Sequence, residues 1–249
     1  MRRPIIAGNW KMHKTPADTE AFFGKFSPLV TLDSRVEIVV CAPFVDLRVA
    51  AEVTRGTRIE IGAQNLHWAA EGAFTGEVSA GMLRASGCRW VIVAHCERRE
   101  YFCETEETAF ETICAALDAG LTPIYCVGER PQERDGDQTQ EVLGRQLSDC
   151  VGKLTPEQFR GIVIAYEPRW AIGTGKVATP EVAANTHAFI RRQLCQQFGA
   201  EAASACRILY GGSVQADNIS NLMAQESIDG VLVGGASLDP VSFASIVNY

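Results

Sequence analysis

Long hydrophobic runs are missing from this chain of 249 residues. No stretch approaches the roughly 20 apolar residues that an α-helix needs to cross a bilayer. The apolar run that begins at Pro4 is interrupted by Asn9 and Lys11, so it is too short for the core of a signal peptide. The sequence therefore predicts a cytoplasmic protein with no membrane partner.

Basic residues are outnumbered as well. The chain has 23 Lys and Arg residues against 30 Asp and Glu residues, which gives a formal net charge of −7. A protein that wraps a nucleic-acid backbone needs a basic face. The charge balance argues against a nucleic-acid partner, and any anionic ligand must be held by a local site.

No two of the nine cysteines form a C-x-x-C pair, and their number is odd. A disulfide framework uses an even set of cysteines in a short secreted chain. Structural zinc sites usually need closely spaced pairs of ligands. The cysteines are therefore interpreted as reduced thiols of a cytosolic protein, and the sequence predicts no metal site.

Short apolar runs, in contrast, recur along the whole chain. Most of them are continuously apolar rather than alternating, which is typical of strands covered on both faces of a parallel sheet. The eight predicted strands are Pro4–Gly8, Val36–Ala42, Ile59–Ala63, Trp90–Ala94, Pro123–Val127, Ile162–Tyr166, Arg207–Tyr210 and Gly230–Val233.

The segments between these runs carry helix start and stop signals. A Thr-Pro pair precedes the helical patterns Ala17–Phe26 and Val182–Phe198. A third pattern, Glu104–Ala119, ends at Gly120, a good C-terminal stop. The predicted caps of two further helices are Asp217 and Asp239.

Eight strands alternating with helices over about 250 residues predict an α/β fold. The predicted architecture is a closed (β/α)8 barrel of eight parallel strands with outer helices, and a doubly wound open sheet is the alternative. No linker rich in Pro, Gly or Ser divides the chain. Residues 1–249 are therefore predicted to form a single barrel domain.

Reactive residues follow the apolar runs, where the chemistry of such barrels is located. Glu167 ends the sixth run, and exclusion of water there raises the basicity of a carboxylate, as a general base requires. His95 follows the fourth run, where an imidazole can donate a hydrogen bond or move protons. Taken alone, either residue is equally compatible with a structural role. The neighbouring Glu97 and Arg98 are interpreted as an ion pair.

Two further groups of residues indicate an anionic ligand. Asn9 and Lys11 lie two residues apart at the end of the first run, share a face, and can hold one anionic oxygen. Glycine lets backbone N–H groups converge on a phosphate, and the loops after strands seven and eight often bind one. Here these loops are Gly211-Gly212-Ser213 and Gly234-Gly235.

The loop Pro168–Lys176 contains glycines and is apolar in its middle, which is unusual for an exposed loop. It is interpreted as a lid that closes over a ligand and excludes water.

Six segments of the chain closely resemble the triosephosphate isomerase family, and the match covers essentially the whole sequence. The segments are Ala7–Met12, His95–Arg99, Ala165–Pro168, Trp170–Gly175, Tyr210–Val214 and Val231–Ala236. The resemblance implies interconversion of dihydroxyacetone phosphate and D-glyceraldehyde 3-phosphate, with no metal or organic cofactor.

The resemblance also implies a role for each candidate residue. Glu167 would remove a proton from the carbon beside the carbonyl. His95, uncharged, would polarise the carbonyl and move protons between the two oxygens of the enediol. Lys11, helped by Asn9, would offset the developing negative charge. The backbone N–H groups that would hold the phosphate belong to Gly173, Ser213, Gly234 and Gly235.

The resemblance also implies a quaternary structure, and the sequence differs from the family pattern at two positions. Gly72–Glu77 matches a segment that, in the family, reaches into a neighbouring subunit beside Lys11, which implies a homodimer. Cys96 stands where the family more often has Ser. Arg169 occupies a lid-hinge position where a small apolar residue is common. Neither departure removes a predicted catalytic group.

Two other functions stay open at this point. In a Schiff-base aldolase on the same barrel, Lys11 would be the nucleophile. A catalytically silent protein that binds phosphorylated sugars is the second, although such a protein would be expected to lack Glu167 or His95.

Overall fold

The eight predicted apolar runs form the strands of one closed parallel barrel. A computed structural model describes residues 2–30, 35–172 and 178–249 of the chain. Each strand pairs in parallel with the next, and the last pairs with the first, so the sheet closes on itself. The strands are β1 Ile5–Asn9, β2 Glu37–Ala42, β3 Ile59–Ala63, β4 Trp90–Val93, β5 Thr122–Val127, β6 Val163–Tyr166, β7 Ile208–Tyr210 and β8 Gly230–Val233.

This architecture is a TIM barrel, and it confirms the predicted (β/α)8 class over the open sheet. The strand bounds agree with the predicted runs to within one residue at each end. Closure brings β8 against β1, where Gly230 has a φ of 148°. A Cβ at Gly230 would lie 2.0 Å from the carbonyl oxygen of Ile5, so only glycine fits this seam.

Helices follow the strands along the chain. Within the described ranges the α-helices are α1 Pro16–Phe26, α2 Leu47–Val53, α3 Ala80–Ala85, α4 Cys96–Tyr101, α5 Glu106–Asp118, α6 Pro131–Asp135, α7 Thr139–Asp149, α8 Pro156–Arg160, α9 Pro180–Ala205, α10 Ile219–Met223 and α11 Pro240–Val247. None of them combines the length and the apolar character needed to cross a bilayer.

Several predicted helix ends are confirmed, and one cap is wrong. Thr15 and Asp239 cap α1 and α11 through side-chain oxygens that accept backbone N–H groups. Asp217 does not cap α10, because Asn218 occupies that position and its Oδ1 accepts the N–H of Gln215 at 2.9 Å. Helix α9 continues beyond its predicted end, with a break at Gly199, whose φ is 84°.

The core has two layers, and their alternation aims the site residues. Side chains two apart on a strand share a face, so Ile5 and Ala7 of β1 belong to the inner layer, as do Val163 and Ala165 of β6. Ile6 and Ile164, in contrast, pack in the layer between the strands and helices. The same alternation carries Asn9 and Glu167 inward at the carboxyl ends of their strands.

Candidate active site

A cavity of about 310 Å³ opens at the carboxyl ends of the strands. Its size falls at the lower end of the range of small-molecule sites, about 300–1,000 Å³. It brings together residues from the ends of β1, β4, β6, β7 and β8. The predicted site residues that line it are Asn9, Lys11, His95, Glu167, Ser213, Gly234 and Gly235. Gly173 lies outside the described residues.

Glu167 is buried at this end of the barrel, with 2% of its surface exposed. Its N–H donates to the carbonyl of Val127 at 2.7 Å, which anchors the backbone to β5. Its carboxylate accepts twice: Oε1 lies 2.8 Å from Nε2 of His95, and Oε2 accepts the N–H of Cys96 at 2.9 Å. The predicted base therefore lies against the predicted acid.

His95 is held at the start of α4 as its N-terminal cap. The preceding Ala94 has a φ of 56°, so the chain turns out of β4 before the histidine. Nδ1 of His95 accepts the N–H of Glu97 at 3.3 Å. A nitrogen that accepts a hydrogen bond carries no proton, so this contact places the imidazole proton on Nε2, facing Glu167.

Burial and mutual contact shift the pKa values of Glu167 and His95 in opposite directions. For Glu167, burial raises the pKa, but the His95 contact and the hydrogen bond from Cys96 outweigh it, and the pKa lies below its ordinary value. For His95, burial lowers the pKa, but the Glu167 carboxylate raises it above its ordinary value. Each group thus favours the charged form of the other.

Lys11 enters the cavity from a turn just after β1. It has a φ of 54°, and its N–H donates to Oδ1 of Asn9 at 3.0 Å. The amide of Gln64 donates to the Lys11 carbonyl at 2.9 Å, which fixes the turn. The ammonium group lies 2.5 Å from Oε1 of Glu97. A positive charge is therefore held at the cavity wall.

The predicted pairing of Glu97 with Arg98 is wrong. Glu97 contacts Lys11, whereas Arg98 donates to Oε1 of Glu104 at 2.5 Å. Adjacent residues on a helix do not face each other, so the two side chains point to different partners.

The two glycine-bearing loops close the other side of the cavity. Gly211, Gly212 and Ser213 follow β7, and Gly234 and Gly235 follow β8. The Gly234 carbonyl accepts the N–H of Ser237 and begins a 3₁₀ turn. N–H groups at the start of such a turn lack partners within it, which suits them to an anion.

Glu129 belongs to the site's surroundings and was missed by the sequence reasoning. It is fully buried, and its Oε1 accepts from the Tyr166 hydroxyl at 3.1 Å and from Nε1 of Trp170 at 3.0 Å. It connects the first residues of the predicted lid to the barrel wall. The available signal was its position two residues after the end of the fifth run. Residues 173–176 of the predicted lid lie outside the described residues.

An acid–base pair and a held cation, beside glycine turns at the carboxyl end of a closed barrel, define an enzyme of the (β/α)8-barrel class. The family model for triosephosphate isomerase matches residues 4–249. The chain belongs to the triosephosphate isomerase family.

Relatives named triosephosphate isomerase match the whole chain. The protein of Solibacter usitatus is 61% identical over 249 residues, which cover all of both chains. The protein of Moorella thermoacetica is 53% identical and that of Caldanaerobacter subterraneus 49%, both over the full length of this chain and 99% and 100% of their own.

Proposed function

We propose that this cavity interconverts dihydroxyacetone phosphate and D-glyceraldehyde 3-phosphate, with Glu167 as base and His95 as electrophile. The enzyme is an aldose–ketose isomerase, as its family membership implies. The observation that supports these roles most directly is the 2.8 Å contact between the Glu167 carboxylate and Nε2 of His95 in the cavity wall.

The reaction moves one proton between neighbouring carbons. Glu167 takes a proton from the carbon beside the carbonyl, and the bonding pair forms the carbon–carbon double bond of an enediolate. Nε2–H of His95 donates to the former carbonyl oxygen and then exchanges protons between the two oxygens. The protonated Glu167 returns its proton to the adjacent carbon, which completes the isomerisation and restores the base.

His95 acts as an uncharged imidazole in this scheme. The contact that raises its pKa is the Glu167 carboxylate. Once that carboxylate turns to the substrate carbon and takes up a proton, its charge no longer favours the imidazolium. Burial and the Glu97 N–H at Nδ1 then both favour the neutral ring.

Fixed positive charge stabilises the enediolate. The Lys11 ammonium and the Asn9 amide face the cavity and can donate to the developing oxyanion. A preorganised donor of this kind in a water-excluded site contributes about 3–4 kcal/mol. Ser213, Gly234 and Gly235 bind the phosphate through backbone N–H groups, and Gly173, outside the described residues, is proposed to join them.

A coupled isomerase assay on the purified protein tests the assignment. Glu167→Gln removes the base and His95→Gln removes the titrating group, and each should lower turnover by about 10²–10⁴-fold with an unchanged circular dichroism spectrum. Glu107→Gln, which neutralises an exposed carboxylate on α5, is the matched control. Full activity of the Glu167 variant would exclude the proposed base.

The comparisons give no support to the Schiff-base aldolase. Its nucleophile must be an uncharged amine, whereas the Lys11 ammonium is ion-paired with Glu97. Borohydride reduction in the presence of substrate discriminates the two functions, because only an aldolase would become covalently labelled at Lys11.

We further propose that the enzyme works as a homodimer through loop Gly72–Glu77. All six residues of the loop are exposed, and Phe74 is 46% exposed although its ring centroid lies 4.1 Å from that of His67. Beside Lys11, the exposed side chains of Tyr101 and Phe102 line a second cavity of about 260 Å³, with space for a partner's loop.

Sedimentation of single-residue variants tests the dimer. Phe74→Asp should yield monomers with reduced turnover, whereas Val241→Asp, at an exposed apolar position on α11, should remain dimeric. If the two variants sediment equally, the loop is not part of the dimer interface.

Residues 1–249 are proposed to act as one domain, since β8 closes on β1. The nine cysteines, which all lie within the described ranges, are free thiols, and this supports a cytoplasmic location. The net charge of −7 argues against a nucleic-acid partner.

A further inference from the structure

Cys96 places a buried thiol directly beside the acid–base pair. Its sulfur lies 4.0 Å from Nδ1 of His95, and its backbone N–H is bound to Oε2 of Glu167. One imidazole nitrogen, the thiol sulfur and one carboxylate oxygen from these three residues all lie within 4.8 Å of one another. The described part of the chain contains no second such group of three or more His, Cys, Asp or Glu side chains.

Cys sulfur, His nitrogen and carboxylate oxygen are the ligand types that zinc uses in proteins. Zn²⁺ binds Cys sulfur at about 2.3 Å, His nitrogen at about 2.0 Å and carboxylate oxygen at about 2.0–2.2 Å. In a tetrahedral site these bond lengths place neighbouring ligand atoms about 3.3–3.7 Å apart. Closure of the group by roughly 1 Å therefore meets the requirement.

We propose that His95, Cys96 and Glu167 form a three-ligand site for a thiophilic divalent cation such as Zn²⁺, and that its occupation reversibly inhibits the enzyme. Two of the three ligands, His95 and Glu167, line the cavity, and the ion enters from there. Inhibition follows because the ion occupies both the base and the electrophile. This consequence depends on the proposed function, whereas binding of the ion does not.

The proton balance of binding can be written for these residues. The Cys96 thiol releases its proton to solvent and binds as the thiolate. The imidazole binds through Nε2, and its proton moves to Nδ1. Nδ1 then no longer accepts the Glu97 N–H and instead donates a hydrogen bond to Oε2 of Glu97, which lies 3.5 Å away. A carboxylate behind a ligating histidine is the usual outer partner in zinc sites. Because a proton is released, affinity for the ion rises with pH.

Cys96 is the ligand that a conservative substitution can remove. A serine hydroxyl there is a poor ligand for zinc, so Cys96→Ser should abolish the site with little change in volume. Loss of only an outer partner of a ligand lowers metal affinity by about 10–100-fold. The inhibition constant for Zn²⁺ should therefore rise by at least about tenfold in Cys96→Ser, and Cys96→Ala should behave alike.

Two measurements on the full-length protein test the proposal. In the first, turnover is titrated with Zn²⁺ and recovered with a chelator, for the native sequence and for Cys96→Ser. The matched control is a Cys103→Ser/Cys195→Ser variant, which removes the exposed thiols and should keep the native inhibition constant. In the second, Co²⁺ replaces Zn²⁺, and a near-ultraviolet thiolate-to-cobalt absorption band should appear in the native protein and be lost in Cys96→Ser.

Each outcome decides the matter. Equal Zn²⁺ inhibition of the native protein and Cys96→Ser, or a cobalt–thiolate band that depends on Cys103 and Cys195 instead, overturns the site. The cobalt band is read without substrate, so it does not depend on the proposed function. If the native protein shows the band and the Glu167→Gln variant keeps its turnover, the proposed function is refuted and the metal site stands.

Discussion

Oε1 of Glu167 lies 2.8 Å from Nε2 of His95, and these two side chains are 2% and 7% exposed. The two residues come from strands that are not neighbours in the barrel, β6 and β4, and meet only because the inner face of the barrel collects their carboxyl ends. In this buried contact each group offsets the effect of burial on the pKa of the other. The reactivity of the base therefore depends on its partner.

Replacement of His95 by Gln should raise the pKa of Glu167. Burial raises this pKa, and the contact with His95 is the main effect that lowers it. The acid limb of kcat/KM, which reports the free enzyme, should then move to higher pH. A pH profile of the residual activity measures the shift. His13→Gln, at an exposed position, should leave the limb in place. An unmoved limb in His95→Gln would show that the imidazole does not control the base.

Gly211→Ala should displace the base without removing it. A Cβ there would lie 2.9 Å from Cγ of Glu167, which is closer than real contacts allow, and a tight 3.2 Å from the Tyr166 carbonyl oxygen. Because a shift of about 1 Å can lower a rate about 10²-fold, kcat should fall by about 10–100-fold. Gly144→Ala in α7 meets nothing within 4 Å, so its turnover should be native and its stability up to about 1 kcal/mol higher. Native turnover in Gly211→Ala would contradict the crowding argument.

Arg169 gains a structural explanation from its ion pair with Glu100 on α4. Arg169 is 14% exposed and Glu100 45% exposed at their side chains, so a coupling of about 0.5–1 kcal/mol is expected. A double-mutant cycle with Arg169→Val and Glu100→Gln, read by urea unfolding, measures it, and the coupling should weaken in high salt. The exposed pair Arg48 and Glu52 provides the comparison and should give about 0.3–0.5 kcal/mol. If the effects of the two substitutions on the free energy of unfolding simply add, the ion pair of Arg169 and Glu100 contributes no stability.

His187 should make the fold sensitive to acid. It is fully buried, its Nδ1 lies 3.3 Å from the Ser227 carbonyl, and its Nε2 finds no hydrogen-bond partner among the described residues. Burial lowers its pKa to about 3. As the pH falls below about 6.5, the unfolded chain binds a proton at this residue and the folded chain does not. The stability that His187 contributes is therefore fully present above about pH 6.5 and is lost progressively between there and about pH 3.

Urea unfolding at a series of pH values measures this dependence. One proton corresponds to about 1.4 kcal/mol per pH unit, so His187→Gln should flatten the curve by up to that slope inside the window. His13→Gln, whose imidazole is exposed, should not change it. Parallel curves for the native sequence and His187→Gln would assign the acid sensitivity to other groups.

Local patterns predicted the elements of this barrel because their causes are local. Continuous apolar runs must be covered on both faces, and Thr15 and Asp239 cap helices whose orphan N–H groups lie within three residues of them. The candidate site was predictable to the extent that chemistry follows strand ends, which is how Glu167, His95 and Lys11 were found. Asp217 failed because the neighbouring Asn218 is also a favoured cap residue and takes the cap position.

The sequence by itself determined which residues form strands, where several helices begin, and which reactive side chains follow the strands, because these depend on side chains a few positions apart. Only the tertiary structure decided that Glu97 pairs with Lys11 rather than Arg98, that Glu129 is buried against Trp170, and that Cys96 lies beside both the base and the imidazole. Barrel closure joins residues as distant in sequence as Ile5 and Gly230. The backbone turns at Lys11 and Ala94 direct the site side chains into the cavity. Sequence spacing records neither effect.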